Sequence, residues 1–170
     1  LIKIFSELID TNNLLKIFAA LFFSVSLCAE TVSVMTFNVE NLFDNKNDAY
    51  KTDETYLEFS KKQTPLHIKN CEKISTKRWR DDCLYIDWTD EVIEHKLNSI
   101  ASVILSYGSN GPDIIGLQEV ENKRILKQLF KKLEEAGYKH SVLLEGSDNR
   151  GIDTCLLYTS PSPRDSIRSR

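Results

Sequence analysis

Two runs of apolar residues in this chain end in carboxylates and amides. In one, Gly111-Pro112-Asp113-Ile114-Ile115-Gly116-Leu117 leads into Gln118, Glu119 and, one residue on, Glu121. In the other, Thr31 to Phe43 supplies Thr-Val-Ser-Val-Met-Thr-Phe and then the cluster Asn38, Glu40 and Asn41, interleaved with Val39 and Leu42. A carboxylate at the carboxyl end of a buried strand sits at the rim of a sheet, where α/β proteins bind ligands. The same pattern also describes strands that simply stop in solvated side chains, so each run alone supports either reading.

The flanking segments say what positions these groups. Pro112 fixes the approach to the second run, whose Ile and Leu content suits a strand over Asp113–Leu117 buried on both faces. The β-branched and aromatic residues of Thr31–Phe43 predict another strand, with Asn38 and Glu40 on one face and Val39 on the other. Between them, Ile93, Leu97, Ile100, Ala101 and Ile104 recur at helical spacing, with Thr89 or Asp90 as cap and Gly108 as stop. Asn122 caps a second amphipathic helix carrying Ile125, Leu126, Leu129 and Leu133, ended by Gly137. Tyr138–Leu144 reads as a strand, and Arg150–Asp153 leads into another. Strand and helix alternate, which predicts an α/β fold.

Asp44–Glu91 is polar and long, the mark of an insertion or functional loop. Lys73, Lys77, Arg78 and Arg80 surround Trp79, a grouping that suits nucleic acid. Asp81, Asp82 and Asp87 offset that charge, and a solvated loop fits as well. His95 falls on the polar side of its helix, while His67 and His140 lie in or beside loops. The net charge of −3 argues against nucleic-acid binding by bulk charge.

Asn12 to Glu30 reads as an export signal: Lys16, then apolar Ile17–Leu27, then a cleavage site at Leu27-Cys28-Ala29. The run is shorter than the roughly 20 residues of a membrane span, so no stable span is expected after cleavage. Leu27 stands where a lipoprotein signal wants a small residue, which favours simple cleavage and a periplasmic or extracellular product. Met35, the sole methionine, lies inside the first strand, so Leu1–Asn13 reads as translated upstream sequence with a start near Leu14 or Leu15. Of the four cysteines, Cys28 belongs to the signal and Cys155 to the tail. Cys71 and Cys83 suit a disulfide in an exported protein, with two free thiols as the alternative. Cys155–Asp165 reads as a translated transposase adaptor from library preparation and Ser166–Arg170 as its index, so native sequence is expected to end near Thr154. The expected organisation is therefore 1–29 extension and signal, 30–154 domain, 155–170 tail.

Thr36-Phe37-Asn38-Val39-Glu40-Asn41, Pro112 to Val120 and Arg150-Gly151-Ile152-Asp153 together resemble the endonuclease/exonuclease/phosphatase superfamily, in its exported bacterial branch. The resemblance implies the amino-terminal half of a deoxyribonuclease-I-like α/β sandwich, incomplete in this chain. It implies Glu119 as ligand of a catalytic divalent ion, Mg²⁺ or Mn²⁺, and Asn38 as a group orienting the scissile phosphate or the metal's water shell. Glu40 is implied as a subsidiary ligand. It also implies an Asp-x-Asn pair downstream of these motifs and a terminal Asp-His pair, and neither occurs after Asp153 in this chain. The expected activity of the complete protein is phosphodiester hydrolysis with nucleic acid as substrate, the fragment being inactive alone. A phosphoinositide or sphingomyelin phosphoesterase and a non-catalytic cell-surface binding module are the alternatives.

Overall fold

The computed structural model describes residues 31–159. The upstream segment and signal expected before Glu30, and the tail after Thr159, lie outside the described residues. Four strands, β1 (Val34–Leu42), β2 (Ile114–Val120), β3 (Tyr138–Leu144) and β4 (Asp153–Thr159), form one mixed sheet in the order β1-β2-β4-β3. The helices are α1 (Pro65–Glu72), α2 (Lys77–Tyr85), α3 (Asp90–Leu105) and α4 (Lys123–Leu133). The fold is α/β, and β1 and β2 run parallel with α3 in their connection.

The two long helices form where their caps and apolar stripes require. The Thr89 hydroxyl accepts from the Val92 N–H, and the Asn122 side chain accepts from the Arg124 and Ile125 N–H groups at 2.9 and 3.1 Å. Each cap satisfies amide donors that a helix start leaves open. Leu97, Ile104, Ile125, Leu129 and Leu133 are fully buried against Ile115, Leu117 and Leu157 of the sheet. Each such side chain contributes roughly 1.5–3 kcal/mol through removal of apolar surface from water.

Only one sheet face is covered in this way. On β2, Ile115 and Leu117 are buried, but Ile114, Gly116 and Gln118 on the other face are only half-buried, which corrects the expectation of burial on both faces. Val34, Val142, Leu144 and Leu156 are exposed on that second side. The second layer of a sandwich is not among the described residues. β4 runs without a break through Thr154 into Cys155–Thr159, and Cys155 and Leu157 are buried. An alternating Cys-Leu-Leu-Tyr-Thr run satisfies the needs of a strand between two neighbours, whatever its origin.

The register of β1 on β2 is set where the strands begin. The Ser33 N–H and hydroxyl both donate to Asp113 Oδ2 at 2.7 and 2.6 Å, and the Asp113 N–H donates to Ser33 Oγ at 3.0 Å. Just before, the buried Tyr138 hydroxyl donates to the Pro112 carbonyl at 2.5 Å. Gly111 is at φ 84°, and a Cβ there would stand 2.7 Å from that hydroxyl. Glycine is required both by conformation and by space.

The polar region 44–91 is ordered into 3₁₀ turns at Glu54–Tyr56 and Phe59–Lys62, followed by α1 and α2. Phe43 stacks on Tyr56 with ring centres 4.0 Å apart, and Trp88 meets Tyr56 edge-on while its indole N–H donates to the Phe43 carbonyl. The ammonium of the buried Lys62 donates to the carbonyls of Thr55 and Ile86 at 2.6 and 2.7 Å. Cys71 and Cys83 form a disulfide joining α1 to α2. His67, expected in or beside a loop, lies within α1, buried, with Nε2 3.0 Å from the Cys83 carbonyl oxygen. No helix among the described residues is long and apolar enough to cross a membrane. Replacing Cys71 and Cys83 together by serine is expected to lower the unfolding free energy by about 3 kcal/mol, read from urea melts of the two proteins.

Candidate active site

Because β1 and β2 are parallel, their carboxyl ends lie at one rim. Asn38 pairs with Gln118, and beyond that point both strands leave register before Leu42 meets Val120. β2 shifts against β4 over the same step, between Gln118 and Val120. The extra residues are Glu40, Asn41 and Glu119, at φ 53°, 62° and 66°. Left-handed backbone at a residue other than glycine costs about 1–3 kcal/mol, and such strain gathers where a site needs a side chain re-aimed. Three of the four such residues among those described meet here.

The re-aiming brings Asn38 and Glu119 together. The Asn38 Nδ2 donates to Glu119 Oε1 at 3.0 Å, and the Asn41 backbone N–H donates to Oε2 at 3.0 Å. Asn38 Oδ1 in turn accepts from the Glu40 N–H at 2.8 Å. The carboxylate is thus oriented by two donors, and the amide that holds it is itself oriented. Glu40 contributes its backbone: its N–H binds Asn38 and its carbonyl accepts from Lys96 Nζ at 2.8 Å. Its own carboxylate is exposed and takes no part in this network.

Three further groups, Lys96, Arg150 and Tyr56, bear on the rim, and only Arg150 lies in a motif that the sequence exposed. Lys96 lies on α3 and reaches over the edge of β1, its ammonium 6.0 Å from the Trp88 ring centre. Burial lowers its pKa, while the charges of Glu40 and Glu119 oppose that shift. Arg150 is held by Asp148 at 2.9 and 3.2 Å, and that pairing first, with Glu119 and Tyr56 adding to it, raises its pKa. Burial of the Tyr56 phenol raises its pKa in turn, against the pull of the Arg150 charge. Arg150 was legible as part of a motif; its service to Glu119 was not, because the two are joined only through the fold.

Immediately behind the rim lies a second acidic group. Asp44, Asp53 and Glu121 are buried at 4%, 2% and 4% exposure, with Asp48 beside them. The Arg124 guanidinium spans Asp44 and Asp48 at 2.7 and 2.6 Å. The Asp44 N–H donates to Glu121 Oε2 at 2.8 Å. Burial, reinforced by the charges of Asp44, Asp48 and Asp53 and opposed by that amide, pushes the Glu121 carboxyl up to about 8.

Residues 83–165 match the Endonuclease/Exonuclease/phosphatase family. The match is consistent with a partial domain of that kind. No curated protein and no solved structure matches the chain. The family segment includes α3, β2, α4, β3 and β4, hence Glu119 and Arg150, while Asn38 and Glu40 come to it from outside through β1. Hydrolases of this family typically use divalent metals. Glu119 fits such a role: each carboxylate oxygen accepts one hydrogen bond and keeps capacity for another, as a hard-ion ligand must.

The raised Glu121 carboxyl has a consequence for stability. Between about 4.5 and about 8 the folded chain holds a proton that the unfolded chain has released. Stability is therefore expected to fall as pH rises through that window, in buffers containing chelator. Glu121→Gln, which cannot ionise, should flatten this part of the profile of urea midpoint against pH.

Proposed function

We propose that the complete protein is an exported, divalent-metal-dependent phosphodiester hydrolase acting on nucleic acid, and that this chain supplies its metal- and phosphate-holding half. The observation that carries this reading is the Glu119 carboxylate held between the Asn38 side chain and the Asn41 amide at the common rim of β1 and β2. Glu119 would hold Mg²⁺ or Mn²⁺, with Asn38 against the phosphate or the ion's water shell and Glu40 as a subsidiary, solvent-side ligand. When bound, the cation supplies charge neutralisation on the phosphate and its leaving oxygen. Arg150 and Lys96 add positive charge beside the same rim, which favours a phosphate there.

A groove of about 1090 Å³ supports nucleic acid over a lipid headgroup. It extends from Asn41 and Arg150 past Tyr56 to Lys73, Arg78 and Trp79. Trp79 is 64% exposed, so an unstacked base could lie on it while the cations meet backbone phosphates. Export agrees with the signal-like sequence and with the Cys71–Cys83 disulfide, which suits an oxidising compartment.

The test is DNA cleavage in Mg²⁺ by a reading frame that includes the family's Asp-x-Asn and Asp-His pairs. Glu119→Ala there should lower kcat by about 10²–10³-fold, the scale of losing a group that stabilises transition-state charge. The 170-residue chain alone should show no cleavage; measurable Mg²⁺-dependent cutting by it would overturn the proposal. Trp79→Ala in the complete protein should raise KM about tenfold with kcat unchanged. Release of lipid headgroup without cleavage of DNA would instead assign the site to a lipid phosphodiester.

A further inference from the structure

We propose that Asp48, Asp53 and Glu121 form a Ca²⁺ site, separate from Glu119, that fastens the loop after β1 to the end of β2. The three residues each offer a carboxylate oxygen, and these atoms all lie within 4.8 Å of one another. Two oxygens on a single Ca²⁺, at bond lengths of about 2.4 Å, are separated by at most about 4.8 Å.

An acidic cluster by itself says little, but this one contains an orphan. Glu121 is 4% exposed, its Oε2 accepts from the Asp44 N–H, and its Oε1 is buried with no hydrogen-bond partner. It is the sole such side-chain atom among the described residues. A buried acceptor without a partner is destabilising, and a buried charge without one more so. No cation among the described residues pairs with it. Arg124 is engaged with Asp44 and Asp48, so the carboxylates of Asp44, Asp48 and Asp53 and the Glu121 carboxyl share one guanidinium. The other ligands retain capacity: Asp53 accepts from Asn47 Nδ2 and the Asp48 N–H, and Asp48 from Arg124 and Asn122, one bond to each oxygen. A hard dication with flexible, carboxylate-rich coordination answers both the orphaned oxygen and the excess charge.

The site would act on geometry some distance away. Glu121 is two residues beyond Glu119, so fixing it fixes the bulge that aims the candidate metal ligand. Beyond Asp48, the Thr52 N–H donates to the Asn149 carbonyl at 2.9 Å and Lys51 Nζ to the Asp148 carbonyl at 3.4 Å. The same loop therefore supports the turn that carries Arg150.

The test uses the full chain in the Glu119→Ala background, so that an ion at the candidate active site does not count. After chelator treatment, Ca²⁺ alone is added in equilibrium dialysis and in thermal melts. The expected result is about one Ca²⁺ bound per chain and a Tm rise of about 5–10 °C at saturation. Adding Glu121→Gln or Asp53→Asn should weaken binding at least about tenfold and remove the Tm rise, while each variant still melts cooperatively in chelator. The first change keeps the size of the Glu121 side chain and an acceptor oxygen, and the second removes a charge independently at Asp53. Absence of binding at about millimolar Ca²⁺, or equal binding by both double variants, would overturn the site.

Discussion

The parallel pairing of β1 with β2 is the constraint on which the rest depends. Asp113 locks the start of that pairing through its bonds to Ser33, and the strands then stay in register as far as Asn38 and Gln118. Because side chains alternate along a strand, a slip of one residue would turn Asn38 away from the rim and bury a polar amide. The irregularities at Glu40, Asn41 and Glu119 are useful only because the register below them is fixed. They convert two ordinary strand ends into an amide and a carboxylate in contact.

Left-handed backbone at three non-glycine residues persists only where surrounding contacts over-determine it. The Glu119 carboxylate binds back to Asn38 and Asn41, and Lys96 clamps the Glu40 carbonyl from α3. On the other side, the Asp44 N–H binds Glu121, and Arg124 joins Asp44 to the Asp48 loop. Strain at the rim is thus supported from the helical layer and from the loop behind it. The polar stretch after β1 is accordingly part of the site's foundation rather than a solvated excursion.

The sheet is dressed on one face only among the described residues, with Val142, Leu144 and Leu156 exposed on the other. The groove leading from Asn41 past Tyr56 to Trp79 owes its shape to α1 and α2, whose relative position the Cys71–Cys83 bond fixes. A region with little apolar content holds its form through that bond, the Phe43–Tyr56–Trp88 ring cluster and the buried Lys62 ammonium. None of these is periodic, so none produces the helical or strand pattern by which the other elements could be read.

The sequence by itself determined the α/β alternation, the cap at Asn122, the span of β3, and the polar ends at Asn38 and Glu119, and it narrowed the other cap to Thr89 or Asp90. Those features are local: apolar period, cap chemistry and β-branched content act within a few residues. The family likeness carried by Glu119 was legible for the same reason, being a short contiguous motif. Only the tertiary structure decided that Asn38 and Glu119 touch, that Lys96 and Arg150 face the same rim, and that Asp48, Asp53 and Glu121 share a buried cluster. Each of these joins residues far apart in the chain, through strand register and helix packing that no local pattern encodes. The helices α1 and α2 were hidden differently: they are short, weakly apolar and held by a cross-link, so their order comes from the contacts around them rather than from their own residues.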